Sequence, residues 1–170
     1  MKKSINDALN KQINAEIYSA YLYLAMGAYF DGLGLDGFAS WMKVQYEEEM
    51  FHAMKFYGFV YERGGTVTME AIEKPGADFK SVLHVFEETL EHEKHVTSLI
   101  NGLYDLAVKE KDYAFQSLLN WFIDEQVEEE DSAQKIIDKI KLAGEKGPGV
   151  YMLDQELGTR VFTPPAKGEA

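Results

Sequence analysis

The sequence predicts an all-α fold, a four-helix bundle with a short fifth helix near the C-terminus. Two observations lead to this prediction. Apolar residues recur at alternating spacings of three and four along four long stretches, as in helices packed around a common core. Only four prolines interrupt the 170 residues, and three of them lie beyond residue 140. A single domain over 1–170 is therefore expected, with the bundle at about 4–143, the short helix at about 150–158 and a tail at 159–170.

The first two helices follow from their stripes and from the glycines that end them. The first is expected from near Ser4, with Asp7 as its capping partner, to about Tyr29. The second is expected from near Asp36 to about Arg63. A pair of glycines follows each stretch, which is typical of a helix C-terminus.

Residues 66–78 carry no helical stripe and form the longest predicted connection. Its length favours a crossover along the bundle between the second and third helices, rather than a tight turn. The third helix is expected over about 79–109, with Leu90 and Tyr104 among its inward-facing residues. Asp112 is a plausible N-cap for the fourth helix, which should end near Ala143.

Composition excludes several classes of function. The chain has no cysteine, so disulfides, Cys-ligated zinc, rubredoxin-type iron and iron–sulfur clusters are ruled out. A net charge of -12 disagrees with a nucleic-acid surface, although it suits an acidic surface that concentrates cations. The N-terminus has no apolar secretion signal, and no apolar run is long enough to cross a membrane. A cytoplasmic protein with neither nucleic-acid nor membrane partners is expected.

A repeated spacing of polar residues is the most informative motif. In each half of the chain a glutamate precedes a polar pair by 33 and 36 residues, because 16 to 49 and 93 to 126 are each 33, and 16 to 52 and 93 to 129 are each 36. This is the arithmetic of a dimetal site in a helix bundle, where two helices give one carboxylate each and two give an i, i+3 pair. The six residues are Glu16, Glu49, His52, Glu93, Gln126 and Glu129.

These residues fall on the apolar stripes, where an unpaired carboxylate would cost several kcal/mol. Two divalent cations would balance the four glutamates, and a ligand set of carboxylates with one imidazole suits Fe(II), Mn(II) or Zn(II). Glu49 is the best candidate to bridge both ions, because it lies one turn from His52. Tyr23 lies two turns beyond Glu16 on the same stripe, within reach of a ligand or of bound oxygen.

The chain resembles the non-haem ferritins of bacteria and archaea over nearly all its length. Four stretches carry the likeness: 14–24 (NAEIYSAYLYL), 47–53 (EEEMFHA), 62–65 (ERGG) and 121–130 (WFIDEQVEEE). Each would be a weak signal alone, but their combination is specific. The resemblance makes the predicted fold a ferritin-like bundle.

The resemblance also assigns roles. It implies a first ferroxidase iron on Glu16, Glu49 and His52, and a second on Glu49, Glu93 and Glu129, with Gln126 as a ligand or a water-holder. It implies a third iron site at Glu48, Glu125 and Glu128, with Glu129 shared. The family oxidises Fe(II) with dioxygen or peroxide and stores a ferric mineral inside a cage of 24 identical subunits.

Related families fit less well. A bacterioferritin usually has Glu-x-x-His in the second pair as well, and neither Met50 nor Met54 stands where its haem ligand is expected, so no haem is predicted. A rubrerythrin needs cysteines. Mini-ferritins lack the fifth helix and place iron between subunits. A metal-free helical assembly protein is the alternative from another class, and aerobic iron titration separates it from a ferroxidase.

Two further expectations concern the surface. His92 and His95 flank Glu93 and are expected to be surface histidines rather than ligands. Aromatic residues around Trp41, Tyr46 and Tyr57 are expected to be exposed on the second helix, where closed assembly would bury them.

Overall fold

The computed structural model describes residues 1–164, which form five helices and contain no strand. Residues 165–170 of the predicted tail lie outside the described part. The chain divides into two compact units, one of residues 1–79 and 146–164, the other of residues 80–145. None of the described helices is both long and apolar enough to cross a membrane. The helices are α1 (Lys3–Leu33), α2 (Asp36–Glu62), α3 (Val82–Glu110), α4 (Tyr113–Ala143) and α5 (Pro148–Leu157).

In the first unit α1 packs along α2 through large apolar side chains. Tyr23, Phe30, Phe38 and Phe56 are fully buried. The predicted cap at Ser4 is wrong: α1 begins one residue earlier, Lys2 takes the N-cap position, and no side chain caps the helix. The seam between α1 and α2 places the polar residues of the first half among these apolar turns.

The connection between α2 and α3 is fastened to α1 by three asparagines spaced four residues apart. The Asn6 amide donates to the Thr66 carbonyl at 3.1 Å, and the Thr66 N–H donates back at 2.8 Å. Asn10 bonds Thr66 and Thr68 in the same way, and Asn14 Nδ2 donates to the Ala71 carbonyl at 3.1 Å. Because the partners advance in the same direction along both segments, residues 66–71 run beside α1, as a crossover requires.

A buried carboxylate docks α5 onto the start of α2. Asp154 Oδ1 accepts the backbone N–H groups of Gly37 and Phe38 at 2.9 and 3.0 Å. These are orphan donors in the first turn of α2, so the contact is also favoured by the helix dipole. A Cβ at Gly37 would lie 1.6 Å from the Asp154 carbonyl oxygen, which leaves room only for glycine.

The residues after α5 fold back onto α2. The Arg160 guanidinium lies 4.6 Å from the centre of the Trp41 ring and pairs with the Glu48 carboxylate, while the Phe162 ring lies 5.8 Å from that of Phe51. Trp41 is only 4% exposed, so its predicted exposure is wrong. Tyr46 and Tyr57 are half-buried.

In the second unit α3 packs along α4. The predicted cap at Asp112 is confirmed, because its carboxylate accepts the Phe115 N–H at 3.1 Å. Ser81 caps α3 in the same way, so this helix begins at Val82 rather than near residue 79. The expected stripe of α3 is partly wrong, since Leu90 and Tyr104 are half-buried and neighbouring residues are buried instead.

Candidate metal centre

Three ligand side chains converge in the first unit. Glu16 comes from α1, whereas Glu49 and His52 come from one face of α2, one turn apart. One ligand atom of each lies within 4.8 Å of the other two. The side chains are 1%, 1% and 3% exposed respectively, so the group lies in the core rather than on the acidic surface.

Glu16 shows what this cluster requires. Its Oε1 accepts a hydrogen bond from Gln12 Nε2 at 2.8 Å, whereas its buried Oε2 accepts none from residues 1–164. Burial, and next the negative charge of Glu49, raise the pKa of the Glu16 carboxyl from 4.5 to about 8. A cation beside Glu16 would supply the missing partner and stabilise the ionised form.

The donor set fits a divalent transition metal. His52 Nδ1 lies 3.7 Å from Glu49 Oε2, so the imidazole and the carboxylate face the same small volume. Two carboxylates and one neutral imidazole would offset both charges of a divalent ion, and this mixture of oxygen and nitrogen donors suits Fe(II), Mn(II) or Zn(II).

The second unit holds the other half of the predicted ligand set. Glu93 from α3, and Gln126 and Glu129 from α4, are 0%, 3% and 8% exposed. Gln126 Nε2 donates to Glu93 Oε2 at 3.1 Å and to the Glu93 carbonyl at 3.2 Å. The side-chain amide thus joins α4 to the buried carboxylate of α3.

The remaining predicted site residues differ in their surroundings. Tyr23 is fully buried in α1. Glu48 is half-buried and paired with Arg160, Glu125 is half-buried, and Glu128 is exposed. The third iron site stays a prediction, and the Arg160 guanidinium is a cation that already occupies part of Glu48.

Sequence reasoning missed two residues that contact predicted ligands. Gln12 lies four residues before Glu16 on the same helical face, so its spacing was a usable signal. Arg160 contacts Glu48 across 112 residues of chain, and no local pattern indicates it. The surface position expected of His92 is also wrong, since it is half-buried and desolvation lowers its pKa to about 4; His95 is exposed, as expected.

Comparison with known proteins identifies the family of the chain. The family of ferritin-like domains matches residues 6–143. A bacterial non-heme ferritin of Bacteroides fragilis (strain 638R) is 44% identical over 160 residues, which cover 94% of this chain and 99% of the relative. One from Staphylococcus aureus (strain MRSA252) is 40% identical over 162 residues, covering 95% and 98% respectively.

Solved structures give the same result. An open pore ferritin from the hyperthermophilic archaeon Archaeoglobus fulgidus superposes with a TM-score of 0.93 at 50% identity, covering 95% of this chain and 99% of that one. A form of the Archaeoglobus fulgidus ferritin engineered to be closed gives a TM-score of 0.94 at 50% identity, covering 96% and 99%. The predicted fold class, a ferritin-like four-helix bundle with a long crossover and a short fifth helix, is confirmed. The chain belongs to the ferritin family and is a non-haem ferritin of the bacterial and archaeal type.

Proposed function

We propose that this protein oxidises Fe(II) at a buried dimetal centre and stores the ferric product inside a hollow homo-oligomer. Membership of the ferritin family supports iron storage. The convergence of Glu16, Glu49 and His52 carries the proposal of oxidation, because three buried ligand groups within 4.8 Å of one another have no role in apolar packing.

The first iron is assigned to Glu16, Glu49 and His52. Iron is the substrate here. The three residues bind it, hold it away from bulk water and balance its positive charge. The Glu16 carboxyl, whose pKa is raised to about 8, gives up its proton when the cation binds. Binding should therefore strengthen as the pH rises toward 8.

The second iron is assigned to Glu93 and Glu129, with Glu49 as the bridging carboxylate. This part of the proposal is supported by the repeated offsets of 33 and 36 residues and by the family's ligand set. The burial of Glu93 and Glu129 fits it, since buried carboxylates need a partner charge. Tyr23 is proposed to contact a ligand or the oxidant, which is dioxygen or peroxide.

A third, weaker iron site is proposed at Glu48, Glu125 and Glu128, with Glu129 shared. The greater exposure of Glu125 and Glu128 supports a more solvated metal than at the buried pair. A cation there would compete with Arg160 for the Glu48 carboxylate.

Membership of the ferritin family supports a homo-oligomer, and 24 subunits are proposed for it. In α5, Leu153 and Leu157 are buried, whereas Tyr151 and Met152 are 64% and 72% exposed. An outward apolar pair on a docked helix suits a contact with another copy of the chain. A cytoplasmic location, without nucleic-acid or membrane partners, completes the proposal.

Stopped-flow absorbance with stoichiometric Fe(II) in air tests the oxidation. The wild-type protein should give a fast transient followed by an amber ferric product. Glu49→Ala should abolish the fast phase while circular dichroism stays helical, because replacing a crowded buried anion by an apolar group is often neutral for a fold. Glu47→Ala is the matched control, since Glu47 is an exposed acid two residues away. A fast phase of wild-type rate in Glu49→Ala contradicts the assignment.

A further inference from the structure

A chain of hydrogen bonds in the second unit leads from a half-buried carboxylate to a buried one. The Thr97 hydroxyl donates to Glu130 Oε1 at 2.6 Å. Gln126 Nε2 lies 3.4 Å from Thr97 Oγ1 and 3.1 Å from Glu93 Oε2. Glu130 therefore connects to Glu93 through one hydroxyl and one amide.

The direction of these hydrogen bonds is set by the number of hydrogens that each group can donate. A threonine hydroxyl has a single hydrogen to donate, and a carboxylate can only accept a hydrogen bond. The Thr97 hydroxyl therefore donates to Glu130, and its oxygen can accept a hydrogen bond from Gln126. Nε2 of Gln126 then faces three acceptors: the Thr97 hydroxyl oxygen and the carbonyl and carboxylate oxygens of Glu93. The flipped amide would set its own oxygen against the same three acceptors, so only one orientation is favourable.

We propose that Thr97 and Glu130 are positioning residues, which hold Gln126 as a hydrogen-bond donor to Glu93 and thereby aim the Glu93 carboxylate at the metal. The hydrogen bond from the amide to Oε2 fixes the orientation of the Glu93 carboxylate. Gln126 therefore acts on the metal centre through its hydrogen bond to Glu93. This inference rests on the proposed metal centre and assigns the residues that orient one of its ligands.

The surroundings of the chain allow it to be tested without disturbing the core. A cavity of about 340 Å³ lies over Thr97, Gln126 and Glu130, and it is also lined by Asn101. Thr97 is half-buried, so exchanging its hydroxyl for a methyl group changes shape very little. Asn101 lies one turn further along α3 and is not part of the chain of hydrogen bonds.

Anaerobic titration with Co(II), followed by its visible absorption, separates orientation from packing. The wild-type protein should bind two Co(II) per subunit tightly, at the buried pair of sites, before any weaker binding at the third site. In Thr97→Val one of the two should bind about three- to tenfold more weakly, as expected for the loss of one hydrogen bond, with shifted absorption bands. Thr97→Ser keeps the hydroxyl and should restore affinity and spectrum, and Asn101→Ala should match the wild type.

Three other results of the titration would contradict either the positioning role or the metal centre. Thr97→Val with wild-type affinity and spectrum overturns the positioning role while leaving the metal centre intact. Equal losses in Thr97→Val and Thr97→Ser also overturn it, because the hydroxyl would then not matter. A wild-type protein that binds no Co(II) contradicts the proposed metal centre, and the positioning role with it.

Discussion

The buried carboxyl of Glu16 makes a prediction about the metal-free protein that needs no iron. Its pKa rises from 4.5 to about 8 on folding, mainly through desolvation and next through the charge of Glu49. Between these values the folded chain holds a proton that the unfolded chain has lost. The free energy of unfolding must therefore fall as the pH rises through this window.

The size of the effect follows from the two pKa values. At ~1.4 kcal/mol per pH unit, this carboxyl lowers the stability by up to about 5 kcal/mol between pH 4.5 and pH 8. Glu16→Gln keeps the shape and the acceptor for Gln12 but cannot ionise. The difference in unfolding free energy between the wild type and Glu16→Gln should thus move by several kcal/mol across this range, in favour of the variant at high pH.

Guanidinium unfolding of chelator-treated protein at pH 5, 6, 7 and 8, at one subunit concentration, measures this difference. Excess Zn(II) should cancel most of it, because a bound cation stabilises the ionised form. A difference that stays constant from pH 5 to pH 8 would refute the reasoning, since Glu16 would then ionise as easily in the folded core as in water.

Three further predictions follow from contacts described above. Gly37→Ala should detach α5 and destabilise the subunit by about 2 kcal/mol or more in chemical unfolding, because its Cβ would overlap the backbone of the docked helix. The control Gly58→Ala, in open space in the same helix, should be neutral or stabilising. Neutralising Glu125 and Glu128 together should alter the slow phase of iron oxidation and the iron-to-oxygen ratio, while the fast phase is kept. Arg160→Ala should increase the amplitude of the slow phase, because it removes the cation that pairs with Glu48. Loss of the fast phase in either protein would contradict this division of the sites. Light scattering on the metal-free protein at moderate salt should show an oligomer, and a stable monomer would exclude the storage cage.

Periodicity was sufficient to locate the four long helices and the first ligand cluster, although not every residue of the buried face of α3. Glu16, Glu49 and His52 stand at stripe positions that apolar residues occupy in neighbouring turns, so their burial and their convergence could both be predicted from the sequence. The N-cap at Asp112 is a local feature and was also predictable, because the capping side chain and the N–H it accepts lie three residues apart.

Contacts between distant segments could not be predicted in the same way. The regular spacing of Asn6, Asn10 and Asn14 is visible in the sequence, but their partners are backbone groups of a segment without a pattern. The sequence predicts Trp41 to be an exposed aromatic residue of α2. In the structure the guanidinium of Arg160, more than a hundred residues later, lies against its ring. Such pairs depend on the path of the chain between distant segments, which no local sequence pattern encodes.

The central claim is that iron binds at the cluster of Glu16, Glu49 and His52. Crystals soaked with Fe(II) without oxygen, with diffraction measured at the iron absorption edge, test it most directly. We predict an anomalous peak within coordination distance of all three side chains, and a second beside Glu93 and Glu129. Iron found only at exposed acidic residues, with no peak at the buried cluster, would contradict the account.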